Sequence, residues 1–585
     1  MKQDEVSIRT NRSFVSRAFW CKSLAQLQEE LHKDVHVRSL SVFDLLMIGI
    51  GGTVGSGVFA TAGLIARCYA GPAAVLSWIL AGLGCVLTGC AFMELSGLIP
   101  AHGSTYAYAY HALGEFPAVV AGFLLTLEYG VSCAGNARAW SSKFVVWIKL
   151  MFNVDSPAWM KPAGTSIDLY ACALMTACVL VVLCGMDIGK RLINVITLTK
   201  ISVVLFIIVA GLTKFHPEHM EPFLPPPSVN EATGQTVFGW PGVMLGASAS
   251  FYGYIGYDEV CCLAGEAINP RRNIPRAVLG TVVGAAVLSI LATLSVVGMQ
   301  RYDLIDIEES YGEAFLAVGY SWASPIVETG EVLTMPVGIL IGFLAQPRVQ
   351  LAMAKDGLLP SLFGRVDARG TPSTGAAITG VIVIALATFV PFQILWNFIS
   401  LGILLAFNMT NLSLLVVRYG RAPVHLFRSR RLSLQVGFVL ALFCVTSFLA
   451  ALHLQHGALA PPFVRLAPTP NASSDVAVFY ASYMDAAGLY VAVGLSVVAA
   501  ALVVLLALNH PTHMEDEDLG DEGKGLFHCP LVPFVPCVAI FFNWLLVVQM
   551  PPHTALMMVA WIAVATAAYL CYGQRHGLAS TSGRN

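Results

Sequence analysis

The sequence predicts an all-helical polytopic membrane protein of about fourteen transmembrane helices, and three observations carry that prediction. Of 585 residues, 56% are hydrophobic and only 12% charged, with a mean hydropathy of +0.72. Soluble domains carry roughly 25% charged residues. Apolar stretches of the length needed to cross a bilayer, about 20 residues, recur along most of the chain. Two of those stretches are interrupted by glycine-rich sequence, Gly49-Ile50-Gly51-Gly52-Thr53-Val54-Gly55-Ser56-Gly57 and Tyr252-Gly253-Tyr254-Ile255-Gly256-Tyr257-Asp258-Glu259.

Read in order, the apolar segments lie near 41–66, 72–99, 115–150, 168–186, 190–213, 239–264, 275–299, 324–353, 373–390, 392–417, 432–453, 487–508, 531–550 and 554–573. The breaks fall in the first and sixth. That spacing predicts two five-helix repeats related by inversion, 41–213 and 239–417. An accessory set, 432–573, follows. Residues 1–40 and 574–585 are read as cytoplasmic tails.

Charge orients the chain. Lys190, Arg191, Arg271, Arg272, Arg365, Arg369 and the run Arg418, Arg421, Arg428, Arg430, Arg431 all fall on the side of the amino terminus. The opposite loops hold few basic residues, such as Arg67, Lys161, Lys214, Arg301 and Arg465. Cytoplasmic loops carry the excess of Lys and Arg, so both termini are expected in the cytoplasm. The loop 454–486 then faces outward or into a lumen and carries a sequon at Asn471. No cleavable signal is evident in the polar first 40 residues. A plasma membrane is expected, with a vacuolar or lysosomal one as the alternative. The acidic stretch Glu515–Asp521 reads as a solvated linker.

Several classes are disfavoured. A net charge of −2 gives no footprint for nucleic acid. The fourteen cysteines lie mostly in or beside apolar segments, and Cys261-Cys262 lacks metal-ligand spacing, so neither a metal site nor a disulfide framework is expected. No cofactor and no catalytic site are expected. The first glycine run is not a dinucleotide loop, because no βαβ unit surrounds it.

The breaks carry the chemistry. A helix unwound in the bilayer must line a cavity or lie inside protein, and paired breaks in two halves of a chain mark a substrate site near the midplane. Unwinding frees the amides of Gly55, Ser56 and Gly57 at the start of a half-helix, where the dipole also favours an anion. Unpaired carbonyls near Thr53, and at Tyr252, Gly253 and Ile255, attract an ammonium group. A site that accepts both charges suits an α-amino acid. The competing reading, close packing of small residues, is the better one for an isolated pair of glycines. Here seven of nine residues are Gly, Ser or Thr and a second break exists. The rings of Phe251, Tyr252, Tyr254 and Tyr257 are either packing or a gate.

Charges inside spans are functional candidates by default. Glu128 lies mid-way along the third segment and Lys200 along the fifth; Asp258 and Glu259 end the second break. A lysine at this depth either forms a static salt bridge or takes the place of a coupling ion and passes a proton. Glu128 and Glu259 are candidates to select cationic side chains. Glu94 and Arg138 are read as a structural pair, or as interfacial, at least as readily as functional.

With these residues in place, the chain resembles the cationic amino acid transporter family of the amino acid–polyamine–organocation superfamily. The resemblance rests on Gly49 to Phe59, Ala70-Gly71-Pro72-Ala73, Glu94 with Pro100 and His102 to Tyr108, and Ala137 to Trp140. Further along it rests on Phe251 to Asp258, Gly265-Glu266, Asn269-Pro270, Pro347-Arg348, Ala352 to Leu358 and Pro530 to Pro536. It covers about residues 40 to 573. It implies the inverted-repeat symporter fold, with a central amino acid between helices one, three, six and eight. It also places the carboxylate site on Gly55, Ser56 and Gly57, and the amino-group carbonyls on Thr53, Tyr252, Gly253 and Ile255. Lys200 matches the helix-five lysine of proton-coupled members, and Glu128 an acid seen in bacterial and plant-like members. Glu266-Ala267 replaces a pair of glutamates found in many members, and Glu259 is an additional acid beside Asp258. The expected function is alternating-access transport of amino acids, cationic ones foremost, coupled to protons. The alternatives are a facilitated or neutral amino acid transporter, or a sensor that binds without flux. The expected partners are therefore an amino acid, protons and lipid.

Overall fold

The computed structural model describes residues 17–23, 26–27, 39–99, 103–162, 164–184, 190–230, 236–307, 309–367, 372–420, 434–456, 474–510, 512 and 526–578. The sequon at Asn471, the acidic stretch and the basic run 421–431 lie outside them.

Helices occupy all fourteen predicted segments. They are α1 (Val42–Thr53 and Ser56–Ile65), α2 (Ala74–Leu98), α3 (Glu115–Leu125 continued through Thr126–Val131 into Ser132–Phe152), α4 (Leu169–Leu183) and α5 (Lys190–Leu212). Next come α6 (Gly239–Ser250, Phe251–Tyr254 and Glu259–Cys262), α7 (Pro270–Met299), α8 (Ser324–Lys355), α9 (Ser373–Phe389) and α10 (Phe392–Tyr419). The last four are α11 (Leu434–His456), α12 (Ser474–Asn509), α13 (Phe534–Val547) and α14 (Pro552–Ala568). Among the described residues, nine helical stretches are long and apolar enough to cross a membrane; α4, α9, α13 and the first half of α1 are shorter apolar helices. Two short helices were not anticipated, Thr105–Ala112 and Ser310–Ala317. Among the described residues, β structure is confined to Ser228–Val229 paired antiparallel with Thr236–Val237 between α5 and α6, and a lone bridge from Leu40 to Ala267.

Local sequence explains the helix ends. Ser41 caps α1 in a reciprocal box with Asp44, satisfying two amide donors of the first turn. Asn153 takes the left-handed conformation that closes α3. Pro270 begins α7, where its missing N–H is no loss.

The core positions the two broken helices against each other. Small residues let the backbones meet: a Cβ on Gly57 would strike Gly253 Cα at 2.2 Å, and one on Gly256 would lie 2.9 Å from Thr53 N. Below the breaks, the chain entering α1 is bonded to the chain leaving α6. Ser39 N–H and Leu40 N–H donate to Glu266 O, and Ile268 N–H donates to Leu40 O. Arg348 of α8 closes on Glu266 at 2.9 Å, so the acid that survives in that loop anchors it to α8.

Candidate functional site

The first break is short and well defined. The last α-helical bond of the first half runs from Val54 N–H to Ile50 O, and the first of the second half from Phe59 N–H to Gly55 O at 2.9 Å. The amides of Ser56, Gly57 and Val58 therefore precede any intrahelical acceptor, as at every helix start. The carbonyls of Gly51, Gly52 and Thr53 lie at the other end of the gap, and Thr53 Oγ1 donates back to Gly49 O at 2.7 Å. Gly55 lines the break, since a Cβ there would face only Lys200 Nζ, at 3.3 Å. Gly57 instead meets the backbone of α6. Its side-chain space is filled by protein, and what it contributes to the break is an N–H.

Lys200 is fully enclosed, 1% exposed. Its Nζ donates to Gly51 O at 2.8 Å, and among the described residues it has no acidic partner within ion-pair distance. The static salt bridge considered for it is absent there. It lies on one side of the unwound turn, between α1 and the Gly338 surface of α8.

The second break is a turn of tighter helix, Phe251–Tyr254, followed by extended Ile255 and by Gly256 at φ +120°. Residues with a side chain rarely adopt that conformation. The Tyr252 carbonyl is engaged weakly, by Ile255 N–H at 3.5 Å. The four rings separate into two groups. Tyr254 donates to Trp78 O, while Phe251 and Tyr257 pack on Phe407, so these three are packing. Tyr252 donates instead to Asn136 Oδ1 of α3 and packs edge-on to Phe392 of α10, at the level of the break.

Three acids converge from α3 and α6. Tyr129 Oη donates to Asp258 Oδ2 at 2.5 Å. Glu128 stands in a π-helical turn of α3, a feature frequent at functional sites, and is fully buried. Glu259 reaches the other flank of α1: a Cβ on Gly52 would lie 2.8 Å from Glu259 Oε2. The same carboxyl faces Gly342 of α8 and the Cys133 and Tyr129 region of α3. Among the described residues no basic side chain pairs with Glu128, Asp258 or Glu259; the Glu128 and Asp258 carboxyls are hydrogen-bonded to each other, and Glu259 Oε2 accepts no hydrogen bond. The unwound α1 turn is thus flanked by an ammonium on one side and a carboxyl on the other.

Glu94 and Arg138 belong elsewhere and do not meet each other. Glu94 pairs with Arg418 at 2.6 Å and accepts from Cys529 N–H. Arg138 donates to the carbonyls of Ser166 and Thr388, with Asp168 at 3.7 Å. Sequence reasoning missed Tyr129, Asn136 and Gly342; only their placement in three dimensions marks them.

Broken helices around buried unpaired charge define a membrane transporter rather than an enzyme. Comparison with known proteins specifies the kind. Residues 40–484 match the Amino acid permease family, and residues 527–577 match the C-terminus of that permease group. The chain belongs to the amino acid permease family. It is 32% identical over 410 residues to the methylthioribose transporter of Bacillus subtilis, covering 69% of this chain and 86% of that one. It is 27% identical over 617 residues to cationic amino acid transporter 3, mitochondrial, of Arabidopsis thaliana, covering 97% and 95%. Among solved structures it is similar to Mhp1, a nucleobase-cation-symport-1 family transporter in a closed conformation, with TM-score 0.45 and 12% identity over 87% of this chain and 99% of that one.

Proposed function

We propose that this permease carries cationic amino acids across a plasma or vacuolar membrane with both termini cytoplasmic, and that it is coupled to protons through Lys200. The carrying observation is the bond from Lys200 Nζ to Gly51 O. Protonated, the ammonium holds the first half of α1 through a carbonyl that the unwound turn leaves free. Deprotonated, it has no surplus charge to offer, and that half-helix is released to swing with α6. The amides of Ser56 and Gly57, with that of Gly55, receive the substrate carboxylate. The carbonyls at Thr53, Tyr252, Gly253 and Ile255 receive its α-ammonium. Residues 41–213 and 239–417 are the two repeats that move about this point.

Glu259 supports a cationic side chain. It lies against the broken turn, is buried, and among the described residues has no basic partner. A guanidinium or ammonium would supply the missing charge, and Glu128 and Asp258 extend the acidic wall behind it. Two relatives named as cationic amino acid transporters, from Arabidopsis and human, are similar over more than nine-tenths of this chain. The methylthioribose relative supports a second reading, in which the acids handle protons alone and the substrate side is neutral. Uptake of labelled arginine, lysine, leucine and methylthioribose into proteoliposomes, with and without an imposed pH gradient, separates the two. Arginine accumulation driven by the gradient is expected. Binding without flux would instead indicate a sensor.

A further inference from the structure

The two ends of the chain meet on one face of the molecule. Residues 17–23 dock on the short helix Thr105–Ala112, and Ala18 and Lys22 are buried there at 2% and 1% exposure. Lys22 N–H donates to Tyr110 O at 3.2 Å, and Lys22 O accepts from His111 Nδ1 at 2.8 Å. The Lys22 ammonium pairs with Asp356, just past the end of α8, at 2.6 Å. Tyr106 Oη donates to the other oxygen of that carboxyl, also at 2.6 Å. The Trp20 ring stands edge-on to Tyr110, and Cys21 Sγ donates to Ala112 O. Removing one partner of a buried pair leaves an uncompensated charge, so the seat depends on Lys22 as well as on packing.

The far end of the chain closes on the same place. Tyr569, where α14 passes into a π-helical turn, is wholly buried and donates to Glu115 Oε1 at 3.1 Å. Tyr110 Oη donates to Glu115 Oε2 at 3.0 Å. Glu115 opens α3 and is itself buried, so one carboxyl joins the two tyrosines. The backbone follows: a Cβ on Gly577 would lie 2.7 Å from both Glu115 oxygens, and one on Gly357 would strike His576 O. Ala18 and Tyr569 belong to one buried cluster with Tyr106, Tyr110 and Leu358, and the Arg17 charge acts on the Tyr569 hydroxyl. Tyr110 is common to both ends. Its carbonyl and ring hold the amino-terminal segment, and its hydroxyl, through Glu115, holds the carboxyl-terminal end. Buried side-chain networks of this kind respond as units rather than as separate pairs.

We propose that the two chain ends form a single clasp, in which the carboxyl-terminal end sets whether the amino-terminal segment stays seated. Tyr110 carries the coupling. Lifting Tyr569 leaves one oxygen of a buried carboxyl without its donor, and the Tyr110 hydroxyl and Glu115 must then rearrange together. The ring they move is the one against which Trp20 packs and over which the Lys22 ammonium lies. An event that lifts residues 569–577 is therefore read out at Lys22, at the opposite end of the chain. The segment so released leads, through residues 28–38, into α1, which makes the carboxyl-terminal end a control input to the broken helix. That last consequence rests on the swing of α1 proposed above. The clasp itself does not, and it holds whichever substrate the central site takes.

Cys21 reports the state of the seat. It is buried at 9% exposure, and trypsin releases it in the peptide Ala18–Lys22, between Arg17 and Ser23. The rate at which a water-soluble maleimide labels Cys21 in the purified full-length protein, read by mass spectrometry, measures how often the segment lifts. In the wild type it is expected to be about tenfold or more slower than in protein denatured with sodium dodecyl sulfate. Lys22→Met, whose peptide runs on to Lys33, should raise the rate by breaking the pair with Asp356. Tyr569→Phe removes one hydroxyl and keeps the ring. It should raise the rate about threefold or more with Lys22 intact, the scale of one lost hydrogen bond. Deletion of residues 574–585 should do the same without touching a spanning segment, and it carries the test if Tyr569→Phe folds poorly. Combined with Lys22→Met, either change should add little, because the seat is already open. Cys21 labelling as fast in folded as in denatured protein overturns the proposal. So does a wild-type rate in either monodisperse carboxyl-terminal variant, and so do effects of Tyr569→Phe and Lys22→Met that simply multiply, since the two ends would then be docked independently.

Discussion

Glu94 and Glu259 are both buried carboxyls in spanning helices, and they are treated in opposite ways. Glu94 is closed on both sides, by the Arg418 guanidinium at 2.6 Å and by Cys529 N–H. Glu259 lies against a glycine of an unwound turn, with Oε2 accepting no hydrogen bond. The same contrast separates Arg138, which donates to two carbonyls and faces Asp168, from Lys200, which holds one carbonyl and faces no acid among the described residues. Burial alone therefore does not mark a working charge in this protein. Charges at the rim are compensated and immobilise α2, α10 and the segment before α13. Lys200 and Glu259, beside the breaks, face no oppositely charged side chain among the described residues.

Breaking the compensated pair should have the largest effect. Arg418→Met leaves Glu94 buried without its partner, a change that destabilises by about 3–5 kcal/mol. The expected outcome is a large loss of thermal stability and yield, with residual protein retaining its substrate preference. A Tm within a degree of wild type would mean the pair is solvated.

The close approach of the two breaks comes next. Gly57→Val drives a side chain into Gly253 Cα, and overpacking of this kind costs about 1–3 kcal/mol, more where backbone meets backbone. Substrate binding to monodisperse protein should be abolished, because α1 and α6 can no longer meet. Unchanged affinity in a scintillation proximity assay would remove Gly57 from the site.

Lys200→Met keeps most of the side-chain volume and removes the proton carrier. Here the prediction concerns coupling more than stability. Accumulation driven by a pH gradient should fall to the equilibrium level, while exchange of bound substrate persists. If the variant still concentrates substrate as the wild type does, the proton passes elsewhere, and Glu128 becomes the first residue to examine.

Glu259→Gln should have the smallest effect on the fold, because it withdraws a charge that no basic side chain answers among the described residues. Stability is expected to stay level or rise. The ratio of arginine to neutral amino acid uptake should drop several-fold. A ratio that does not move, measured in the same vesicles, assigns Glu259 to protons and leaves the cationic preference without a residue.

Much of the architecture was legible in the chain. Hydropathy depends only on composition along the chain, so all fourteen helices were legible, to within a few residues at most ends. Glycine runs inside apolar segments have few physical uses, so both breaks were legible, and Lys200 stood out as a lone cation inside the fifth span. The rest depends on which helix faces meet. Glu94 was separated from Arg138 and given to Arg418, more than 300 residues away in the chain. Three of four aromatic rings turned out to be packing, and Tyr252 was directed to Asn136. Gly57 was shown to serve helix contact, and Gly55 the open turn. Helical periodicity says that a side chain lies on a face, but the identity of the neighbour depends on how remote helices cross. A buried charge is fixed or free according to that neighbour.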